Sequence, residues 1–164
     1  MADFYQFLAD HNIEYERHDH PAVYTVEEAE RLVPPLPGAK SKNLFLRDKK
    51  GVRHFLVVVP ARKRVNIKAL PEVVGSNRLS FGSAQRLEKF LGVEPGAVTL
   101  LAIFNDPDQK VEVFIDRALW GSEAFNFHPL VNTSTLVISR ENLQRFIESS
   151  GHQIRIVDVP GQDE

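Results

Sequence analysis

The sequence predicts an α+β (mixed α/β) fold: a single domain with a mixed, mostly antiparallel central sheet flanked by helices. Three observations predict it. Apolar runs of strand length recur along the chain, roughly seven in all. Between them lie segments of helical periodicity, several opened by a capping residue. The two kinds do not alternate strictly, which excludes a sheet built from βαβ units alone.

The 164 residues suffice for one domain with a sizeable core. Residues 1–160 read as that domain and 161–164 as a polar tail, with no repeat, low-complexity tract or linker. Hydrophobic residues make up 43% and charged residues 26%, which places the chain among ordinary globular proteins. Cysteine is absent, which excludes disulfides and thiolate chemistry. The opening Met1-Ala2-Asp3-Phe4 is acidic and unlike a signal peptide. No apolar run approaches the roughly 20 residues of a membrane span. A soluble cytoplasmic protein is expected.

Taken in order, Asp3 can cap a helix from Phe4 to about His11, with Phe4, Phe7 and Leu8 on one face. Ile13 to His18 alternates as a strand, and His18-Asp19-His20-Pro21 forms a turn. Its H-x-H spacing has no third ligand in view, so no metal is assigned. Thr25-Val26-Glu27-Glu28 is a capping box for a helix to about Leu32. Val33-Pro34-Pro35-Leu36-Pro37-Gly38 is a stiff connector. It delivers the chain to a hairpin: a first strand through Arg47, the turn Asp48-Lys49-Lys50-Gly51, and a second strand, Val52 to Val59. Asn66 can cap a brief helix through Leu70. Leu79-Ser80-Phe81 is extended. Ser83 caps a helix from Ala84 to Leu91, which Gly92 stops. Gly92 to Gly96 is a tight turn, and Ala97 to Phe104 is an apolar run. Val111 to Ile115 is a strand, and Asp116 caps a short helix to Trp120. Strands follow at Glu123 to His128 and Leu136 to Ile138. Ser139 caps the last long helix, with Leu143, Phe146 and Ile147 inward, and Ile154 to Val157 is the final strand.

The net charge of -2 hides an asymmetry. Residues 40–68 hold ten cations and one acid, a local charge of +9. The remainder holds ten cations and 21 acids, or -11. A basic segment on an acidic body points to a polyanionic partner. Within it, Lys40 and Lys42 stand two apart on one strand and should share a face. Paired cations suit a phosphate or carboxylate. The same residues would also make an ordinary solvated strand end.

Phosphate-loop, dinucleotide, HExxH and GxSxG motifs are all missing. His128 closes an aromatic strand, where a histidine is either a hydrogen-bonded structural residue or a site residue. Asn132, Thr133, Ser134 and Thr135 follow it. They could present polar groups to a ligand or form an Asx or Ser/Thr turn.

Five stretches together carry a resemblance. They are His20-Pro21-Ala22-Val23-Tyr24-Thr25-Val26-Glu27-Glu28-Ala29, Lys40-Ser41-Lys42-Asn43-Leu44-Phe45-Leu46, Leu79-Ser80-Phe81-Gly82-Ser83, Gly92-Val93-Glu94-Pro95-Gly96-Ala97-Val98-Thr99, and Asn126-Phe127-His128-Pro129-Leu130-Val131-Asn132-Thr133. In that order they resemble the YbaK-like aminoacyl-tRNA deacylases, related to the editing domain of bacterial prolyl-tRNA synthetases. Among these, the free-standing prolyl-tRNA editing proteins, which clear alanine from tRNA for proline, are most similar. One departure is Leu100, where the family often has proline after the threonine; it bears on the pocket wall and so on amino-acid selectivity.

The resemblance implies an editing-domain-like fold and hydrolysis of the ester joining an amino acid to the terminal ribose of tRNA, with no cofactor and no metal. It places the key lysine at Lys42, for either the terminal phosphate or the substrate carbonyl. Asn43, His128, Pro129, Leu130 and Asn132 would bind or shape the aminoacyl pocket, with His128, Pro129 and Leu130 excluding a pyrrolidine ring. Lys40, Lys49, Lys50, Arg53 and Arg78 are candidate tRNA contacts. The expected partner is mischarged tRNA, with prolyl-tRNA synthetase or an elongation factor as further candidates. A non-catalytic nucleic-acid-binding module is the rival reading. A small-molecule hydrolase or phosphate binder is a third, and it leaves the breadth of the basic segment without a purpose.

Overall fold

In the computed structural model, residues 3–162 are described. The elements run α1 (Phe4–Asp10), β1 (Glu16–Asp19), α2 (Val26–Leu32), β2 (Ala39–Arg47), β3 (His54–Pro60), α3 (Leu70–Val74), β4 (Ser80–Phe81), α4 (Ala84–Leu91), two 3-10 segments (Pro95–Ala97 and Leu100–Asn105), β5 (Val111–Asp116), α5 (Arg117–Trp120), β6 (Ala124–Phe127), β7 (Ser134–Ser139), α6 (Arg140–Ser149) and β8 (Ile154–Val157).

The expected helix caps form. Asp3, Thr25, Ser83, Asp116 and Ser139 each accept a backbone N–H of the helix they open. Three local expectations shift. The first strand starts at Glu16, because Ile13 is drawn into the core and its N–H bonds back to Leu8 O at 2.9 Å. Asn66 does accept Ala69 N–H at 3.2 Å, but the helix that follows is Leu70–Val74, closed by the left-handed Gly75. The apolar run after Gly96 is 3-10 structure: Thr99 Oγ1 accepts Leu101 N–H, and Leu100 to Ile103 are buried on every side. At the other end the ordered chain continues past Pro160. Gly161 bridges Val65, and Gln162 N–H donates to Arg64 O.

The sheet order is β1-β7-β6-β2-β3-β5-β8, with β4 paired to β2. Four pairings are antiparallel (β1·β7, β6·β7, β2·β3, β2·β4) and three parallel (β2·β6, β3·β5, β5·β8). β3 lies near the middle of this order, and its unbroken apolar run has a cause. Leu56 and Val58 face the cluster built with α1, α4 and α6, while Phe55, Val57 and Val59 face the one capped by Leu70 and Val74 of α3. A strand covered on both faces has no polar side to alternate with.

β2 joins two wings. Only Ala39 and Lys40 pair with β6, opposite Phe125 and Asn126. From Ser41 to Arg47 the strand pairs with β3. Beyond Lys40, therefore, the parallel strands β2 and β6 part. Gly38 sets the start of β2. Its φ of +100° is a conformation that favours glycine, and a Cβ there would come within 2.8 Å of Asn126 Nδ2. That same amide nitrogen donates to Pro37 O at 2.8 Å, tying the proline-rich connector to β6.

Candidate active site

The gap between the parting strands opens into a cleft of roughly 230 Å³. Lys40, Ser41, Lys42 and Asn43 line it from β2, Asn126 and Phe127 from β6, and His128 from the residue just after β6. Val23 to Val26 and Ala29 close one side, and Pro95, Gly96 and Val98 another. Parallel strands that diverge leave a crevice beyond their pairing, with backbone and side-chain polar groups facing it.

Lys42 is half-buried in this cleft. Burial is the main cause holding its ammonium below the ordinary lysine range; nearby Arg64 pushes the same way, and Glu27 opposes. Asn43 uses its Oδ1 to accept Leu100 N–H at 2.9 Å, anchoring the first turn of the 3-10 segment. Asn43 also lines the cleft. His128 donates from Nδ1 to Ser134 O at 2.9 Å. Burial holds its pKa below the ordinary histidine range, the Ser134 bond opposes, and His20 adds to the lowering. A neutral ring with a proton on Nδ1 leaves Nε2 as an acceptor.

The loop after His128 is built for support. Pro129 is buried and does not line the cleft. Leu130 packs against the main core from a left-handed φ of 70° and does not line it either. Asn132 Nδ2 donates to Val23 O at 3.0 Å, and Val23 N–H donates back to Asn132 O at 3.3 Å, which clamps the loop to the cleft wall. His20 is engaged twice. Nδ1 lies 2.8 Å from Pro21 O and Nε2 2.8 Å from Thr135 Oγ1, an arrangement in which the ring donates to the carbonyl and accepts the hydroxyl.

The basic segment is spread along the β2–β3 hairpin and past its end. Lys40 stands at the cleft, exposed. Lys49 and Lys50 occupy the hairpin turn beyond the other end of β2, whose stretch from Lys40 to Arg47 spans about 23 Å at about 3.3 Å per residue. Both are exposed, as is Arg78 beside Asn77, whose Oδ1 accepts Lys49 N–H. Arg53 is bonded instead: Nε and Nη2 reach the two carboxylate oxygens of Glu112 at 2.9 and 2.8 Å, and Nη1 donates to Gly75 O at 2.7 Å. Lys63 pairs with the buried Asp116 at 2.8 Å, and Arg62 pairs with Glu30. Among the described residues, three of the ten cations are thus paired with acids.

Val23, Tyr24, Val26, Gly96, Val98 and Asn126 also line the cleft; residue type and spacing single out none of them, although all lie inside the resembling stretches. That overlap is the signal the sequence holds for them.

A family model described as an aminoacyl-tRNA editing domain matches residues 20–146. The chain is 36% identical over 152 residues to the prolyl-tRNA editing protein ProX of Acetoanaerobium sticklandii, covering 93% of each chain. It is 38% identical over 151 residues to prolyl-tRNA synthetase associated domain-containing protein 1 of Bos taurus, covering 90% of this chain and 88% of that one. The fold is shared with a crystal structure described as a candidate trans-editing enzyme for prolyl tRNA synthetase. There the TM-score is 0.65 at 16% identity, covering 96% of this chain and 98% of the other. On the matched residues, the length covered and the fold, this chain belongs to the aminoacyl-tRNA editing domain family.

Proposed function

We propose that this chain is a trans-acting editing deacylase that removes alanine from mischarged tRNA for proline and so protects translation fidelity, with residues 1–160 as its editing domain. The supporting observation is the cleft, which gathers Lys42, Asn43 and His128 from two diverging strands of a chain in this family.

An aminoacyl ester is activated, so a protein nucleophile is unnecessary. Water adds to the carbonyl carbon, negative charge builds on the carbonyl oxygen, and the ester C–O bond breaks to free the ribose hydroxyl and the amino acid. Lys42 lies where a cation can meet that developing charge, and partial burial strengthens the interaction. Asn43, fixed through its Oδ1, offers an amide N–H. Neutral His128 offers Nε2 as an acceptor that orders polar groups, with the substrate's free ribose hydroxyl helping the water. Selectivity follows from size. A synthetase cannot reject an amino acid smaller than its own by sterics, but a second, smaller site can admit only the error. Here the wall is His128 with Val23, Val26, Val98 and Phe127. Pro129, Leu130 and Asn132 hold it from behind.

The proposed RNA contacts are Lys40 at the cleft and Lys49, Lys50 and Arg78 at the hairpin end, with Arg53 supporting the scaffold. Prolyl-tRNA synthetase or an elongation factor could hand over the tRNA in the cytoplasm. No helix among the described residues is long and apolar enough to cross a membrane.

The test is release of alanine from Ala-tRNA for proline by wild type and Lys42→Ala, with Pro-tRNA as control. Release by wild type, loss in the variant and sparing of Pro-tRNA are expected. Binding of tRNA without release of alanine or any other small amino acid would overturn the enzyme reading and leave a binding module.

A further inference from the structure

Tyr24 is a large aromatic residue left in water. It is 70% exposed, yet it lines the mouth of the cleft. Its backbone is anchored: Tyr24 N–H donates to Glu28 Oε1 at 3.3 Å, and Val23 is bonded both ways to Asn132. The ring rests on Gly96. A Cβ built there would lie 2.8 Å from both Cδ1 and Cε1 of the tyrosine, so the close approach requires glycine. Lys40 and Lys42 line the same opening. An open π-face held beside cations is the composition of a single-stranded nucleic-acid site, in which bases stack and cations meet the backbone.

We propose that Tyr24, backed by Gly96, is the stacking platform for the base of the 3′-terminal nucleotide whose esterified ribose enters the cleft. The assignment rests on the editing reading for the identity of that nucleotide. The geometry follows from connectivity. If the ester carbonyl lies at Lys42, the base is one ribose away and must emerge at the mouth, where Tyr24 stands. Stacking does not read base edges. A platform of this kind therefore suits a 3′ end that all tRNAs share and leaves tRNA identity to other contacts.

The experiment measures binding of uncharged RNA hairpins by fluorescence anisotropy, one ending in CCA and one with an abasic terminal nucleotide. Wild type, Tyr24→Ala, Tyr24→Phe and Gly96→Ala are compared. For the CCA hairpin, Tyr24→Ala should weaken binding by about 5- to 150-fold, the loss of one stacked base. Gly96→Ala should weaken it too, because the new methyl displaces the ring. Tyr24→Phe should bind like wild type. The abasic hairpin should bind wild type and Tyr24→Ala equally. Equal binding of the CCA hairpin by wild type and Tyr24→Ala overturns the platform. So does an equal loss on both hairpins, which would mean a general change in the cleft. Alanine release from Ala-tRNA, run in parallel, separates the two readings. If wild type releases nothing while the stacking pattern holds, editing fails and the platform stands. If wild type is active without that pattern, the platform alone fails.

Discussion

Asn43 anchors a backbone N–H and is proposed to meet substrate, and one substitution series can pull the two roles apart. Its Oδ1 accepts the N–H of Leu100 at 2.9 Å, and Leu100 is fully buried. In Asn43→Ala that N–H loses its partner where water does not reach. An orphaned buried donor costs about 1–3 kcal/mol. For a chain of this size each kcal/mol moves the melting temperature by about 2–4 °C, so a fall of about 2–12 °C is expected by calorimetry. Deacylation should fall as well, because the segment carrying Val98 loosens. Asn43→Asp restores the acceptor and should recover most of the stability. It also removes the amide donor and sets a carboxylate next in sequence to Lys42. If the amide N–H meets substrate, Asn43→Asp stays poorly active while melting near wild type. An Asn43→Ala protein that melts within about 1 °C of wild type would refute the anchoring. An Asn43→Asp enzyme of full activity would refute a role for the amide.

Other outcomes follow from the same geometry. Lys42→Met should lower alanine release by about 100- to 1,000-fold, the usual loss when one donor to a developing oxyanion is removed. It should not lower stability, because burial disfavours the charged lysine. The depressed value also means that wild-type activity should decline on the alkaline side at lower pH than an ordinary lysine would dictate. A stability loss in Lys42→Met in urea melts would contradict this. His54 and His128 are both held below the ordinary histidine range, chiefly by burial. On acidification the unfolded chain takes up their protons first, near pH 6.5, so stability should fall from there down to their folded values. Urea midpoints between pH 7.5 and 5 should show a shallower fall for His128→Gln than for wild type. Arg53→Ala should cost about 1 kcal/mol, a modest figure because the pair with Glu112 is partly exposed, and should leave the salt dependence of tRNA binding unchanged. Lys49→Ala or Lys50→Ala should instead reduce the salt slope by about one each if they touch phosphates.

What the sequence alone determined is whatever depends on neighbours within a few residues. The capping side chains of Asp3, Thr25, Ser83, Asp116 and Ser139 reach N–H groups two or three positions on, so local spacing revealed them. The turn at Asp48–Gly51 is legible for the same reason, since Asp48 Oδ1 accepts Val52 and Arg53 N–H. Motif order identified the family because it needs no three-dimensional reasoning. Tertiary structure decided what depends on distant pairing. The run of cations between residues 40 and 68 looked continuous, but β2 spreads it over two ends of a hairpin. Glu112, 59 residues away, takes Arg53, and Asp116, 53 residues away, takes Lys63. Charge counting cannot see those partners. Pro129 and Leu130 follow His128 in sequence, yet the chain turns inward there through a left-handed Leu130, so only His128 lines the cleft. The cleft itself exists because β2 pairs with β6 for only two residues, on the edge opposite β3, and the rest of that edge toward Asn43 is left without a partner strand. That short pairing sets Lys42, Asn43 and His128 around one space, and no local pattern in either segment encodes it.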